Sequence, residues 1–304
     1  MILFSSPKPF TSETLPVQLT AIRSWKRALP GARVILYGNE PGLDEVCRQE
    51  QVEFGGRVEA DPAGFKIISG MFRRVHRLAP GETSVFLNSD ILLDESIRSC
   101  VPLLEAFPGP FLGTARRRCL PAWSGPALAG AALEEFLVAR RQPVRWGDPC
   151  ALDIFLFRNF PVDRMPEFRI GQAAWDNWMI FHARLAGIPA VDLSRGLRPF
   201  HCDHDYSYVR ENPDPQRSHA ALNQVNLALL GGDGKKFHMG HCDYEFERGR
   251  IQKRRGPAFR LREFEFLRLR RPKHEVWIRP LRALTRPLLR CWERRASREE
   301  DWNR

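Results

Sequence analysis

Three short segments of this chain carry residue types that could do chemistry. In Asn88-Ser89-Asp90, a carboxylate follows the apolar run of residues 83–87. A carboxylate just past a buried strand is well placed to hold a hard divalent cation such as Mg²⁺ or Mn²⁺, with a nucleotide diphosphate completing the oxygen shell. The plain alternative is that Asp90 or Asp94 caps the helix starting near 95. In Trp175-Asp176-Asn177-Trp178, a carboxylate sits between two indoles. Indole faces stack on sugars and bases, and a carboxylate between them could act as a general base. Equally, an Asp at a helix start is often a cap, with one Trp in the core. The third segment, His201-Cys202-Asp203-His204-Asp205-Tyr206, sets two histidines three apart beside two carboxylates, a pattern able to ligate a metal. His238-Met239-Gly240-His241-Cys242-Asp243 partly echoes it. A zinc site from Cys202, His204, His241 and Cys242 can be drawn, but its spacings match no zinc ribbon or finger.

The elements that must position these segments alternate between strand and helix. Residues 1–6, 32–38, 83–90, 111–116, 152–158 and 188–193 are short apolar runs that suit buried strands. Residues 13–29 repeat Leu15, Leu19, Ile22, Trp25 and Leu29 at helical spacing, stopped by Pro30-Gly31. Further helices are expected over 41–50, 64–79, 95–106, 127–141, 176–187 (stopped by Gly187) and 218–230. Residues 197–208 begin strand-like and end polar. This is the pattern of an open, mostly parallel α/β sheet, in which ligands bind beyond the carboxyl ends of the strands. Asn88-Ser89-Asp90 lies at such an end.

Composition and charge exclude several classes. With 43% hydrophobic residues the 304-residue chain can bury a sizeable core, and no apolar stretch is long enough for a transmembrane helix. The N-terminus lacks the basic and apolar regions of a signal peptide, so the expected location is cytoplasmic. Seven scattered cysteines, none in C-x-x-C, read as free thiols. No G-x-G-x-x-G, P-loop, H-E-x-x-H or G-x-S-x-G motif is present. The net charge of +11 is concentrated: residues 248–304 hold 19 Lys and Arg against 7 Asp and Glu, whereas residues 1–247 hold 28 against 29. A near-neutral body with a basic tail suggests docking on an anionic surface. Nucleic-acid binding is disfavoured, because the body carries no RNA or DNA motif.

Taken in order, Ser5-Ser6-Pro7, residues 18–25, 34–38, 85–93, 153–158, 175–178, 187–192 and 201–208 resemble the GT-A-type glycosyltransferases, of the family 2-like nucleotide-diphospho-sugar transferase kind. The likeness covers roughly residues 1–230. It implies a GT-A (Rossmann-like) mixed, mostly parallel sheet flanked by helices. A catalytic domain would span 1–247, with a nucleotide-sugar-binding half (1–94) and an acceptor half (95–247). A basic helical extension would follow over 248–304. By the same resemblance, Asn88-Ser89-Asp90 stands for the D-x-D motif. Asp90 would coordinate Mn²⁺ or Mg²⁺ on the donor diphosphate, and Asn88 replaces the first Asp, which weakens the metal site. His201 or His204 would add the late metal ligand. Asp176 would be the base of an inverting transfer. Ser5, Ser89 and Asp153 would contact the nucleotide-sugar, and Trp175 and Trp178 would wall the sugar. The acceptor would be a glycan, lipid or small molecule. A nucleotide-sugar-binding pseudoenzyme is the alternative, and a pyrophosphorylase is weakened by the missing Gly-rich loop.

In the tail, Trp277, Leu281, Leu284, Leu288 and Trp292 recur at helical spacing with Arg279, Arg282, Arg286 and Arg290 between them. This basic amphipathic pattern over 273–295 suits an anionic membrane surface, with Pro280 and Pro287 breaking any straight helix. The alternative is packing of the same face on the body. Peripheral contact with the inner face of the membrane is the expectation that follows.

Overall fold

The protein is described by a computed structural model covering residues 1–123, 125–140, 145–202 and 219–269, together with Thr285. In chain order the described strands are β1 (Ile2–Ser5), β2 (Arg33–Leu36), β3 (Glu53–Phe54), β4 (Ser84–Leu87), β5 (Ile91–Leu93), β6 (Phe111–Thr114), β7 (Arg118–Leu120), β8 (Arg145–Trp146), β9 (Ile154–Arg158), β10 (Ala190–Asp192), β11 (Pro199–Cys202), β12 (Tyr244–Glu247) and β13 (Arg250–Lys253). The helices are α1 (Thr14–Ala28), α2 (Leu43–Glu50), α3 (Ile68–Leu78), α4 (Ser96–Glu105), α5 (Gly130–Ala139), α6 (Trp175–Leu185), α7 (His219–Leu230) and α8 (Pro257–Leu269).

The main sheet has the order β13-β12-β10-β6-β9-β4-β1-β2-β3. All its pairings are parallel except those of β9, which runs antiparallel to both β4 and β6, and the β12–β13 hairpin. Side chains alternate across it. Phe4, Phe86, Phe155 and Phe157 enter one core with α3 and α6, while Leu3, Val85, Leu87, Ile154 and Leu156 enter another with α1, α2, α4 and α5. Both faces are covered, which is why the strands read as unbroken apolar runs. Gly187, at φ +71°, lets the chain turn out of α6, and Ile188 N–H closes back onto the Ala183 carbonyl at 2.9 Å.

Three boundaries differ from the sequence reading. The strand expected over 83–90 ends at Leu87, because Asn88-Ser89-Asp90 turns the chain out of the main sheet; it resumes as β5 in a second sheet of order β5-β11-β7-β8. The two expected halves share the main sheet, since β9 lies between β4 and β6. The body also continues past 247: β13 completes a hairpin, and α8 sends Phe266 and Leu269 into the core. The amphipathic pattern at 273–295 lies outside the described residues, apart from Thr285.

Helix α1 stands in for a neighbouring strand along β5. Trp25 Nε1 donates to the Ile91 carbonyl at 2.6 Å, and Leu93 N–H donates to Ser24 Oγ at 3.0 Å. Trp25 is fully buried. Trp25→Ala should therefore cost about 3–5 kcal/mol of stability. Trp25→Phe, which keeps the ring but orphans the Ile91 carbonyl, should cost about 1–3 kcal/mol. Urea-unfolding midpoints of the two variants would check that order.

Candidate functional site

Strand register assembles the site at the carboxyl edge of the main sheet. Leu87 of β4 pairs with Ile154 of β9, so the next residues outward, Asn88 and Asp153, face one another. Asn88 N–H donates to the Asp153 carbonyl at 2.9 Å, and Asn88 Nδ2 donates to Asp153 Oδ1 at 2.7 Å. Arg117, just ahead of β7, donates from Nη1 to Asp153 Oδ2 at 2.8 Å. Ser5 Oγ at the end of β1 donates to the Leu87 carbonyl at 2.6 Å, tying two strand ends together.

The second sheet brings up the other half. In the β5–β11 pairing His201 lies opposite Ile91, which sets its imidazole beside Asp90. His201 Nε2 is 3.3 Å from Asp90 Oδ2, with both side chains buried. Lys8 Nζ donates to the same carboxylate oxygen at 2.5 Å. Lys8 sits in the segment after β1, which is held in two ways. Gln18 bonds both the Lys8 N–H (2.8 Å) and its carbonyl (3.3 Å), and Lys66 Nζ donates to the Pro7 carbonyl at 2.9 Å and to Ser6 Oγ at 3.2 Å. Ser89 is buried between Asn88 and Asp90.

Asp176 opens α6 as its second residue. The residue before the helix is Ala174, at φ +86°, so Asp176 is not the cap. Its Oδ1 accepts the Asn177 N–H at 2.9 Å, and Oδ2 receives a long 3.5 Å contact from the Leu152 N–H, one residue from Asp153. Some of its surface still meets solvent, yet the crowding of protein around the carboxyl dominates. Burial, reinforced by the negative charge of Asp153, pushes Asp176 up to about 7. Asp94, not Asp90, serves the helix start: its carboxylate accepts the Ser96 N–H at 3.0 Å and pairs with Arg198.

The two tryptophans take a different place from the sugar walls expected of them. Trp175 is buried edge-on against Phe86 and close to Phe72 and Phe155. Trp178 is buried and stacks on His182, with centroids 4.4 Å apart. The face of the sheet covered by α3 and α6 demands large apolar fillers, and these indoles supply them. The zinc alternative is not assembled either: Cys202 and Cys242 sit in different cores, and His204 lies outside the described residues. Cys47, Cys100, Cys119, Cys150 and Cys242 are free thiols.

Among the described residues no three His, Cys, Asp or Glu side chains form a metal-ligating group. Asp90 and His201 nevertheless meet as one carboxylate and one imidazole, a two-donor set that suits Mn²⁺ or Mg²⁺ when a ligand's oxygens complete the shell. Lys8 and Arg117 were not anticipated from the sequence. The available signal was a cation just past the first strand and the Arg116-Arg117-Arg118 run just past another.

No protein-family model matches the chain, and no curated protein matches it. Among solved structures it is similar to a protein from Desulfovibrio desulfuricans G20 designated a nucleotide-diphospho-sugar transferase, at 14% identity and TM-score 0.41, covering 76% of this chain and 96% of that one. It is also similar to glucosyl-3-phosphoglycerate synthase from Mycobacterium tuberculosis, solved with Mn²⁺, UDP and phosphoglyceric acid (14%, TM-score 0.44, covering 76% and 78%). A third is the mannosyltransferase PcManGT from Pyrobaculum calidifontis, solved with GDP-Man and Mn²⁺ (13%, TM-score 0.44, covering 75% and 70%). Likeness at this level assigns no family.

An acid raised from 3.8 to about 7 favours folding in its neutral form. That stabilisation is complete below the unfolded value and fades as pH rises through the folded one. Between pH 4 and pH 8 the wild type should therefore lose on the order of 4 kcal/mol relative to Asp176→Asn. Urea titrations of both proteins at the two pH values would measure it.

Proposed function

We propose that the chain is a glycosyltransferase that moves a sugar from a nucleotide-diphosphate donor to an acceptor hydroxyl, with Asp176 as base and inversion at the anomeric carbon. The observation that carries this reading is the convergence, at one edge of strand ends, of a buried carboxylate–imidazole pair, two cations and a carboxyl with a raised pKa. The mixed, mostly parallel sheet and the order of the motifs along the chain agree with a GT-A arrangement.

In this reading Asp90 and His201 would hold Mn²⁺ or Mg²⁺, which when bound supplies positive charge to the leaving diphosphate. Lys8 and Arg117 stand at the same edge as cations for phosphate oxygens. Asn88 and Arg117 orient Asp153 toward the donor sugar. Asp176, titrating close to neutrality, takes the acceptor hydroxyl proton as the new carbon–oxygen bond forms and the bond to the diphosphate breaks. No described helix is long and apolar enough to cross a membrane. Lys8 seated on Asp90 favours one second reading, a nucleotide-binding protein without turnover, because the chain's own ammonium takes up the carboxylate that a metal would use.

Calorimetric titration with UDP, GDP, CDP and dTDP, with and without Mn²⁺, tests both readings. Under the transferase reading one nucleotide binds, Asp90→Ala weakens it about tenfold or more, and Asp176→Asn keeps nucleotide affinity while transfer falls about 10²–10⁴-fold. Silence toward every nucleotide rejects the site. Binding without transfer to any acceptor selects the second reading.

A further inference from the structure

Helix α8 is built with its polarity reversed. Pro257, Arg260, Phe264 and Leu267 face outward, and Phe264 and Leu267 are 43% and 51% exposed. Arg262, Glu265, Phe266 and Leu269 are buried. At about 3.6 residues per turn the two sets fall on opposite sides of the helix. The inner side is already occupied. Glu265 Oε1 accepts a hydrogen bond from Thr285 Oγ1 at 3.1 Å, and Glu263, at the flank, pairs with Arg184. Thr285 therefore meets α8 from the buried side, while Phe264 and Leu267 are exposed on the other.

The segment leading into α8 is basic. Arg248, Arg250, Lys253, Arg255 and Arg260 are exposed along the approach from β13 into α8, and the Arg268 guanidinium lies 4.9 Å from the Phe264 ring. The carboxylates nearby are taken: Glu245 pairs with Arg254, Glu247 with Arg195 and Glu263 with Arg184. Residues 270–304 add 11 Lys and Arg against 5 Asp and Glu.

We propose that the outward face of α8 docks on an anionic phospholipid bilayer, with Phe264 and Leu267 entering the interface and the flanking arginines and lysine meeting lipid phosphates. Exposed large apolar side chains beside cations are what such a surface recognises. The proposal does not depend on the transferase reading.

Sedimentation of the full chain with phosphatidylcholine vesicles, with and without phosphatidylglycerol, tests it. Binding is expected only with phosphatidylglycerol, falling tenfold or more in the Phe264→Ser/Leu267→Ser double variant with its unfolding midpoint retained. No binding to phosphatidylglycerol vesicles overturns the proposal, and so does undiminished binding by the double variant, which would assign the attraction to the tail charges alone. Should the double variant fold poorly, Phe264→Trp provides the second reading. Brominated phosphatidylglycerol should quench its fluorescence beyond that of the wild type, and equal quenching overturns the proposal.

Discussion

Strand β9 enters the main sheet against the direction of both neighbours, and the polar edge is arranged around that reversal. Its amino end reaches the edge where β1 and β4 stop, so Asp153 meets Asn88 rather than lying at the far side of the sheet. Leu152, one residue further back, then brings its N–H toward Asp176. Two carboxylates thus share a crowded space, and their environments separate them. Asp153 is held by Arg117 and by the Asn88 amide, whereas no described cation pairs with Asp176. The proton consequently resides on Asp176 well above the usual carboxylate range. Burial of its carboxyl is the main cause of that shift.

The aromatic core fixes this geometry. Trp175 is wedged against Phe86 at 5.2 Å and Phe155 at 5.7 Å, ring residues of the same two strands whose ends carry Asn88 and Asp153. Asp176 follows Trp175 directly, so its position is inherited from core packing and not from a flexible loop. On the other face α1 does the same for Asp90, pinning β5 through Trp25 and Ser24. Rigid elements beneath both halves give the polar groups the preorganisation that binding or catalysis at such an edge requires.

Much of the α/β framework was legible because covered strands must be apolar on both faces, and helices α1, α3 and α6 repeat their core residues with the matching period. The direction of β9 was not legible, since an apolar run such as residues 152–158 reads the same either way. The second sheet was hidden because β5, β7 and β8 are only two or three residues long and are defined by pairing. Asp90, Asp153, Asp176 and His201 stood out by type and by position at strand or helix ends. Lys8 and Arg117 did not, because their significance comes from contacts made 82 and 36 residues away. Conversely, Trp175 and Trp178 invited a surface role that packing reassigns.

Asn88 takes on a clearer meaning from its partner. An aspartate there would set a second carboxylate at hydrogen-bond distance from Asp153, and two such groups near 2.7 Å need a shared proton or an intervening cation. The amide removes that conflict by donating a hydrogen bond instead. It also keeps this edge near charge balance, with Lys8 on Asp90 and Arg117 on Asp153. A diphosphate entering this edge would bring fresh negative charge to cations already committed to carboxylates. Under the proposed reading, donor binding must then either draw Lys8 and Arg117 away from Asp90 and Asp153 or arrive with positive charge of its own. Asn88 limits how much of that charge is needed, because it leaves one carboxylate fewer to neutralise.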